Sequence, residues 1–252
     1  MAINSIWLDA AYWCAGWASA SVEHRLIAYD RQTYNSPNPV ARLAHRARYG
    51  IADHLIQKYL EPSGAMLDFG CGDGRMLKRV RMFYPEAHLV GYEPLMKGVA
   101  DGYERAVVED DAWARPYNLV TAFEVLEHLE DDEICHFFDL VDKALRPDQR
   151  GTLIISVPNM LGPVLIPKII NVQYVRRADW KYSLSEALRA AFFLGAVPRH
   201  RGAGYLTHKG FDWRDLRVRL KNRFIIVEER LSPFPFLPWW LNSQWFAVCR
   251  RR

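Results

Sequence analysis

The 252-residue chain is short of the features that mark several protein classes. It has four cysteines, Cys14, Cys71, Cys135 and Cys249, with no Cys-x-x-Cys pair and no Cys/His finger. That excludes a disulfide scaffold or a zinc finger, and reads as reduced, packing cysteines in an intracellular protein. No apolar run reaches the ~18–20 residues that a membrane-spanning helix needs. The Trp-rich stretch Met1 to Ala20 comes nearest, but Asp9 interrupts it and no basic residue precedes it. It reads as neither a signal peptide nor a span, so a cytoplasmic location is expected. Internal repeats and low-complexity tracts are absent, which excludes a solenoid.

Net charge is only +4, yet it is unevenly placed. Between Pro158 and Arg223 thirteen Lys/Arg face four Asp/Glu. An excess of this kind predicts either an anionic partner for the C-terminal third or a solvated basic face.

What is present centres on Met66–Leu77, Met-Leu-Asp-Phe-Gly-Cys-Gly-Asp-Gly-Arg-Met-Leu. An apolar strand over 65–69 runs into Gly70-x-Gly72-x-Gly74, and a helix opens at Arg75. Alternate glycines permit positive φ and let a ligand approach the backbone. The helix start offers free N–H groups to a polar or anionic ligand. The register differs from the Gly-x-Gly-x-x-Gly of nicotinamide dehydrogenases. Further strands are predicted near 88–92, 105–109, 117–122 and 150–157, alternating with helices as a parallel sheet requires. A helix is predicted over Val40–Leu60, with Leu43, Ala47, Ile51, Leu55 and Tyr59 as its apolar stripe. Another is predicted over 130–146. An acid ends or follows three of the strands: Glu93 with Pro94, Asp111 with Ala112, and Glu124-x-x-Glu127-His128. Asp212–Leu220 reads as a helix, with strands at Phe224–Val227 and Gln244–Val248.

This ordered set resembles the class I S-adenosylmethionine-dependent methyltransferases, in particular the small-molecule type that includes the ubiquinone-pathway O-methyltransferases. The resemblance runs from Asp53 to Pro158, and more loosely from Thr207 to Arg250. It implies an α/β, Rossmann-like, seven-stranded and mostly parallel sheet of order 3-2-1-4-5-7-6, with the last strand antiparallel. One domain spans 1–252: an N-terminal lid (1–39), a cofactor-binding core (40–158), an inserted helical cap (159–210) and the rest of the core (211–252).

The resemblance also implies roles. Gly70, Cys71, Gly72 and Gly74 would cradle S-adenosylmethionine, with Asp68 near its amine. Glu93, followed by Pro94, would accept the ribose hydroxyls. Asp111, beside Ala112, would accept from the adenine amino group, with Asp110 and Glu109 as neighbours in register. Glu124 would face both cofactor and acceptor, and Cys71 within the turn would fill space. His128 is a candidate base, its ordinary pKa suiting proton transfer, with capping of the following helix as the alternative. His208, in Thr-His-Lys-Gly-Phe-Asp-Trp, is the second candidate. Glu124, Glu127, His128 and His208 together form a donor set suited to a divalent metal. A similar set occurs in the small-RNA 3′-terminal 2′-O-methyltransferases; this chain lacks their additional adjacent histidine and a recognisable RNA-binding domain, so no metal is assigned. The expected partner is a small hydroxylated acceptor, such as a sugar, a glycolipid precursor or a phenol, for a monomer or homodimer. Nucleic acid is not the expected acceptor. The Trp-rich N-terminus and segment 233–240 would allow peripheral membrane contact.

Overall fold

The computed structural model describes residues 39–94, 101–147, 151–170, 181–202 and 206–252. The helical reading of residues 1–30, and with it Cys14, lies outside them.

Helix α1 (Pro39–Tyr59) leads into β1 (Ala65–Phe69), the glycine turn and α2 (Arg75–Phe83). The buried face of α1 is Arg48, Tyr49, Ala52, Leu55 and Ile56, whereas Leu43 is 52% exposed. The expected stripe was spaced strictly by four. At 3.6 residues per turn such a stripe drifts by about 40° per step and walks off the core. That drift hid a buried arginine.

Next come β2 (His88–Tyr92), β3 (Glu104–Ala106), α3 (Glu109–Ala112), β4 (Leu119–Phe123) and α4 (Asp131–Ala144). The third strand ends sooner than predicted because Val107 and Val108 face solvent. The acids that follow, Glu109, Asp110 and Asp111, occupy a helical turn, where negative charge suits an N-terminus. Then follow β5 (Thr152–Pro158), α5 (Leu165–Ile170), α6 (Leu184–Ala191), α7 (Trp213–Arg223), β6 (Phe224–Ser232) and β7 (Gln244–Arg251). The sixth strand runs five residues past the apolar run that announced it, pairing with β7 as far as Ser232↔Gln244. Its burial alternates, so its second half carries charged residues that no apolar run betrays.

The seven strands lie in the order 3-2-1-4-5-7-6. β1 to β5 pair in parallel, while β7 runs antiparallel to both β5 and β6. Successive side chains point to opposite faces, so the core divides in two. Leu67, Val120 and Leu153 pack with Phe137 and Phe138 of α4 on one face. Met66, Leu119 and Ile154 pack with Leu55 of α1 and Leu77 of α2 on the other. Every residue of β5 is buried, as its near-continuous apolar run predicts. The carboxyl ends of β1, β2, β4 and β5 and the start of β7 therefore share one edge. In open α/β sheets that edge is where ligands bind.

Candidate active site

The glycine turn leaves β1 with Gly70, Gly72 and Gly74 at φ +77°, +55° and +71°. A Cβ on Gly70 would overlap Val125, and one on Gly74 would overlap the Tyr103 ring. Both positions thus require glycine for backbone shape and for space. The turn is tied to β2 by the amides of Gly70 and Cys71, which donate to Tyr92 O at 2.8 and 3.1 Å. Cys71 is buried and reduced, and burial pushes its thiol pKa up, which fits a packing role. Among the described residues Cys135 and Cys249 are likewise free.

Glu93 sits opposite this turn, and its Oε2 accepts from the Gly72 amide at 3.2 Å. Its own carbonyl accepts from Arg105, and Pro94 behind it is half-buried. Asp68 is buried at the end of β1 and accepts from Thr121 Oγ1 at 2.7 Å. Burial pushes its pKa up to about 7, against the Thr121 hydrogen bond that lowers it; Glu93 and Asp73 add to the rise. On α3, Asp110 and Asp111 are exposed, Glu109 is half-buried and Ala112 is fully buried.

The second half of the site is the turn after β4. Glu124 has φ +58°, a left-handed conformation that a non-glycine residue adopts at a cost. Its amide donates to Ser156 O at 2.9 Å, and its carboxylate meets Ser156 Oγ at 3.4 Å and Arg48 Nη1 at 3.4 Å. The 3-10 turn Leu126–His128 then carries Glu127 and His128 inward.

Glu127 is fully buried, and neither carboxylate oxygen finds a hydrogen-bond partner of good geometry among the described residues. Burial first, and the nearby charge of Glu124 second, push its pKa well above the usual range. Facing its Oε1 are His208 Nε2 at 3.6 Å and His128 Nε2 at 3.9 Å. The two histidines converge, Nε2 to Nε2 at 3.2 Å. His128 Nδ1 lies 2.8 Å from Leu206 O. A carbonyl can only accept, so Nδ1 carries the proton and Nε2 keeps its lone pair. Burial lowers the His128 pKa and favours that neutral form.

One donor atom each from Glu127, His128 and His208 thus lies within 4.8 Å of the others. The set fits a divalent cation: an orphaned buried carboxylate, a neutral imidazole and a backbone carbonyl fixing that imidazole's tautomer. Spacing alone does not show that residues eighty apart in the chain meet.

Sequence reading also missed four polar residues around the site. Thr121 satisfies Asp68. Arg48 reaches Glu124. Arg199 donates to Glu127 O at 2.5 Å and lies over the Phe211 ring. Lys168 turns its ammonium inward to Asn159 O and Ser243 O, at 2.8 and 2.9 Å. Burial lowers its pKa to about 8 although Glu124 and Glu127 oppose the shift. Only Arg48 left a usable signal, as a charge one turn before Ala52 on the stripe that includes Leu55.

The basic excess of the C-terminal third also looks different in three dimensions. Arg201, Arg219, Arg223 and Arg217 pair with Glu130, Asp131, Asp139 and Glu229, acids from outside that segment. Lys209 and Arg214 pair with Glu186 and Asp212. Much of the excess among the described residues is therefore paired within the chain.

Fold and site together define a cofactor-dependent group-transfer domain. A family model described as a methyltransferase domain matches residues 43–219. The chain belongs to that family, among the class I S-adenosylmethionine-dependent methyltransferases. It is 27% identical over 176 residues to the mouse small RNA 2′-O-methyltransferase, covering 60% of this chain and 42% of that protein. It is 28% identical over 126 residues to the Arabidopsis thaliana protein of that name, covering 40% of this chain and 13% of the other. The chain thus spans less than half the length of these relatives. Among solved structures, a DhpI–SAH complex matches with TM-score 0.53 and 13% identity, covering 100% of this chain and 98% of the other. An S-adenosylmethionine-dependent methyltransferase from Clostridium acetobutylicum matches with TM-score 0.53 and 10% identity, covering 92% and 99%. At such identities these two share the fold alone. Among the described residues no helix is long and apolar enough to cross a membrane.

Proposed function

We propose that this methyltransferase is an O-methyltransferase whose acceptor hydroxyl is presented at a divalent cation held by Glu127, His128 and His208, with Glu124 beside them. The single observation that carries this is the buried Glu127 carboxylate, without a hydrogen-bond partner among the described residues and aimed at two imidazole nitrogens. A buried carboxylate in that state is costly unless it is protonated or meets a cation.

The remaining roles follow from position. Gly70, Gly72 and Gly74 admit S-adenosylmethionine against the backbone, Asp68 lies where its amine would sit, and Glu93 takes its ribose hydroxyls in place of the Gly72 amide. Glu109, Asp110 and Asp111 on α3 line the adenine end. Methyl transfer is an in-line displacement at carbon, so alignment of acceptor and donor supplies much of the rate. A divalent cation there would lower the pKa of a bound hydroxyl and fix its direction. His128 and His208 then serve as ligands and orienting groups rather than as free bases.

Such a site favours acceptors with two neighbouring hydroxyls, which a sugar or a catechol-like phenol supplies. The chain's internal neutralisation of its basic segment supports a small acceptor. A second reading, methylation of a 2′-hydroxyl of a small RNA, is favoured by the names of the mouse and Arabidopsis relatives; a terminal ribose would offer the same vicinal diol.

The test is transfer of labelled methyl from S-adenosylmethionine to sugars, catechols and short RNAs with and without a terminal 2′,3′-diol. Assays run in chelator and after cation add-back. Transfer to a diol that stops in chelator and returns with the cation is the expected result. Transfer to amines, or transfer indifferent to chelator, would sink the proposal.

A further inference from the structure

Glu124 stands three residues before Glu127, beside the cation set proposed above, and the structure has it held by another positive charge. Arg48 rises from the buried face of α1, only 9% exposed, and its Nη1 lies 3.4 Å from Glu124 Oε2. Glu124 meanwhile keeps its left-handed backbone and its contact with Ser156. Arg48 is a guanidinium, its charge fixed at any working pH.

We infer that Arg48 is a positioning residue that competes with the divalent cation for Glu124. With the site empty, Arg48 compensates Glu124 and leaves Glu127 without a hydrogen-bond partner. When a cation enters, Glu124 is drawn toward it and the Arg48 contact weakens. The guanidinium, which stays put, then repels the incoming charge and holds the affinity down. A buried pair of this kind costs more to break by deletion than a surface pair, because the surviving charge is left uncompensated. Removing Arg48 therefore leaves Glu124 seeking a cation. The helix that carries Arg48 also reaches the glycine-turn half: Arg79 of α2 pairs with Asp53 on α1, and Arg48 and Arg79 both lie over the Tyr49 ring. α1 thus touches both halves of the site.

This inference rests on the cation reading above, and its test separates the two. Metal-stripped wild type, Arg48→Met, Arg48→Lys and Glu127→Gln are titrated with Mn2+ by calorimetry at fixed pH, without S-adenosylmethionine or acceptor. Arg48→Met keeps the apolar stem of the side chain and removes the charge. The expected result is Mn2+ affinity at least tenfold higher in Arg48→Met than in wild type, little change in Arg48→Lys, and loss of binding in Glu127→Gln. Equal or weaker affinity in Arg48→Met, beside clear wild-type binding lost in Glu127→Gln, would overturn the role of Arg48 and leave the cation site standing. No Mn2+ binding by wild type or by Arg48→Met would overturn both. Circular dichroism of Arg48→Met guards against misfolding, and Arg48→Lys supplies a second measure should that variant unfold: affinity far below wild type in Arg48→Lys would also contradict competition.

Discussion

Two buried carboxylates stand at the ends of neighbouring strands, and they are treated in opposite ways. Asp68, ending β1, has a hydroxyl donor in Thr121 and is poised to ionise near neutrality. Glu127, just past β4, has no hydrogen-bond partner among the described residues and two imidazole nitrogens in front of it. The first carboxylate is satisfied by a hydroxyl within the protein. The second, on the proposed reading, would be satisfied by a cation. On the proposed reading, the contrast separates the part that would hold a methyl donor from the part that would handle the acceptor.

The largest expected effect sharpens the Glu127 half. Glu127→Gln should lower methyl transfer by more than about 100-fold, since it removes a ligand itself, where loss of a group that merely orients a ligand already costs about 10–100-fold. In chelator the same change should raise the unfolding midpoint by about 2–4 °C, the shift expected per kcal/mol in a chain of this size. The opposite signs matter: an ordinary structural glutamate would lose both activity and stability.

Next comes the glycine turn. Gly70→Ala places a methyl against Val125 at φ +77° and should cost about 2–4 kcal/mol, from the left-handed penalty and the overlap. Chemical denaturation would show it, with cofactor binding lost in parallel. Glu93→Ala is milder for the fold and should weaken S-adenosylmethionine binding tenfold or more, about 1.4 kcal/mol; an unchanged affinity by calorimetry would remove Glu93 from the ribose site.

The smallest effect is a pH dependence on the Asp68 half. The folded pKa of Asp68 lies near 7, above its ordinary 3.8, so the folded state binds the extra proton between those values. Stability from this group is therefore full below about pH 4 and is lost as pH rises toward 7, with no further change above. Binding of a cationic amine by Asp68 runs the other way and should strengthen as pH rises through 7. Thr121→Val removes the donor that lowers this pKa, so both transitions should move to higher pH.

How much of this was legible follows from the same contrast. The turn half uses local signals, glycine spacing and an acid at a strand end, which lie within thirty residues and survive in one dimension. They carry the family resemblance, and it is the resemblance that implied the strand order, which the sheet shows, and the roles of Asp68 and Glu93. The other half depends on Leu206 fixing His128 and on His208 arriving from a distant loop, so its convergence had no local trace. α1 shows a third case, where a stripe counted by four pointed to Leu43 and away from Arg48. The pairing of the basic excess after Pro158 is hidden for a similar reason: its partners Glu130, Asp131, Asp139 and Glu229 come from elsewhere in the sequence.

The most direct test of the central claim is an optical titration of metal-stripped protein with Co2+. The account predicts one equivalent bound, with a visible ligand-field band that changes in His208→Ala and vanishes in Glu127→Gln. No band in the wild type, or a band indifferent to Glu127→Gln, would contradict it.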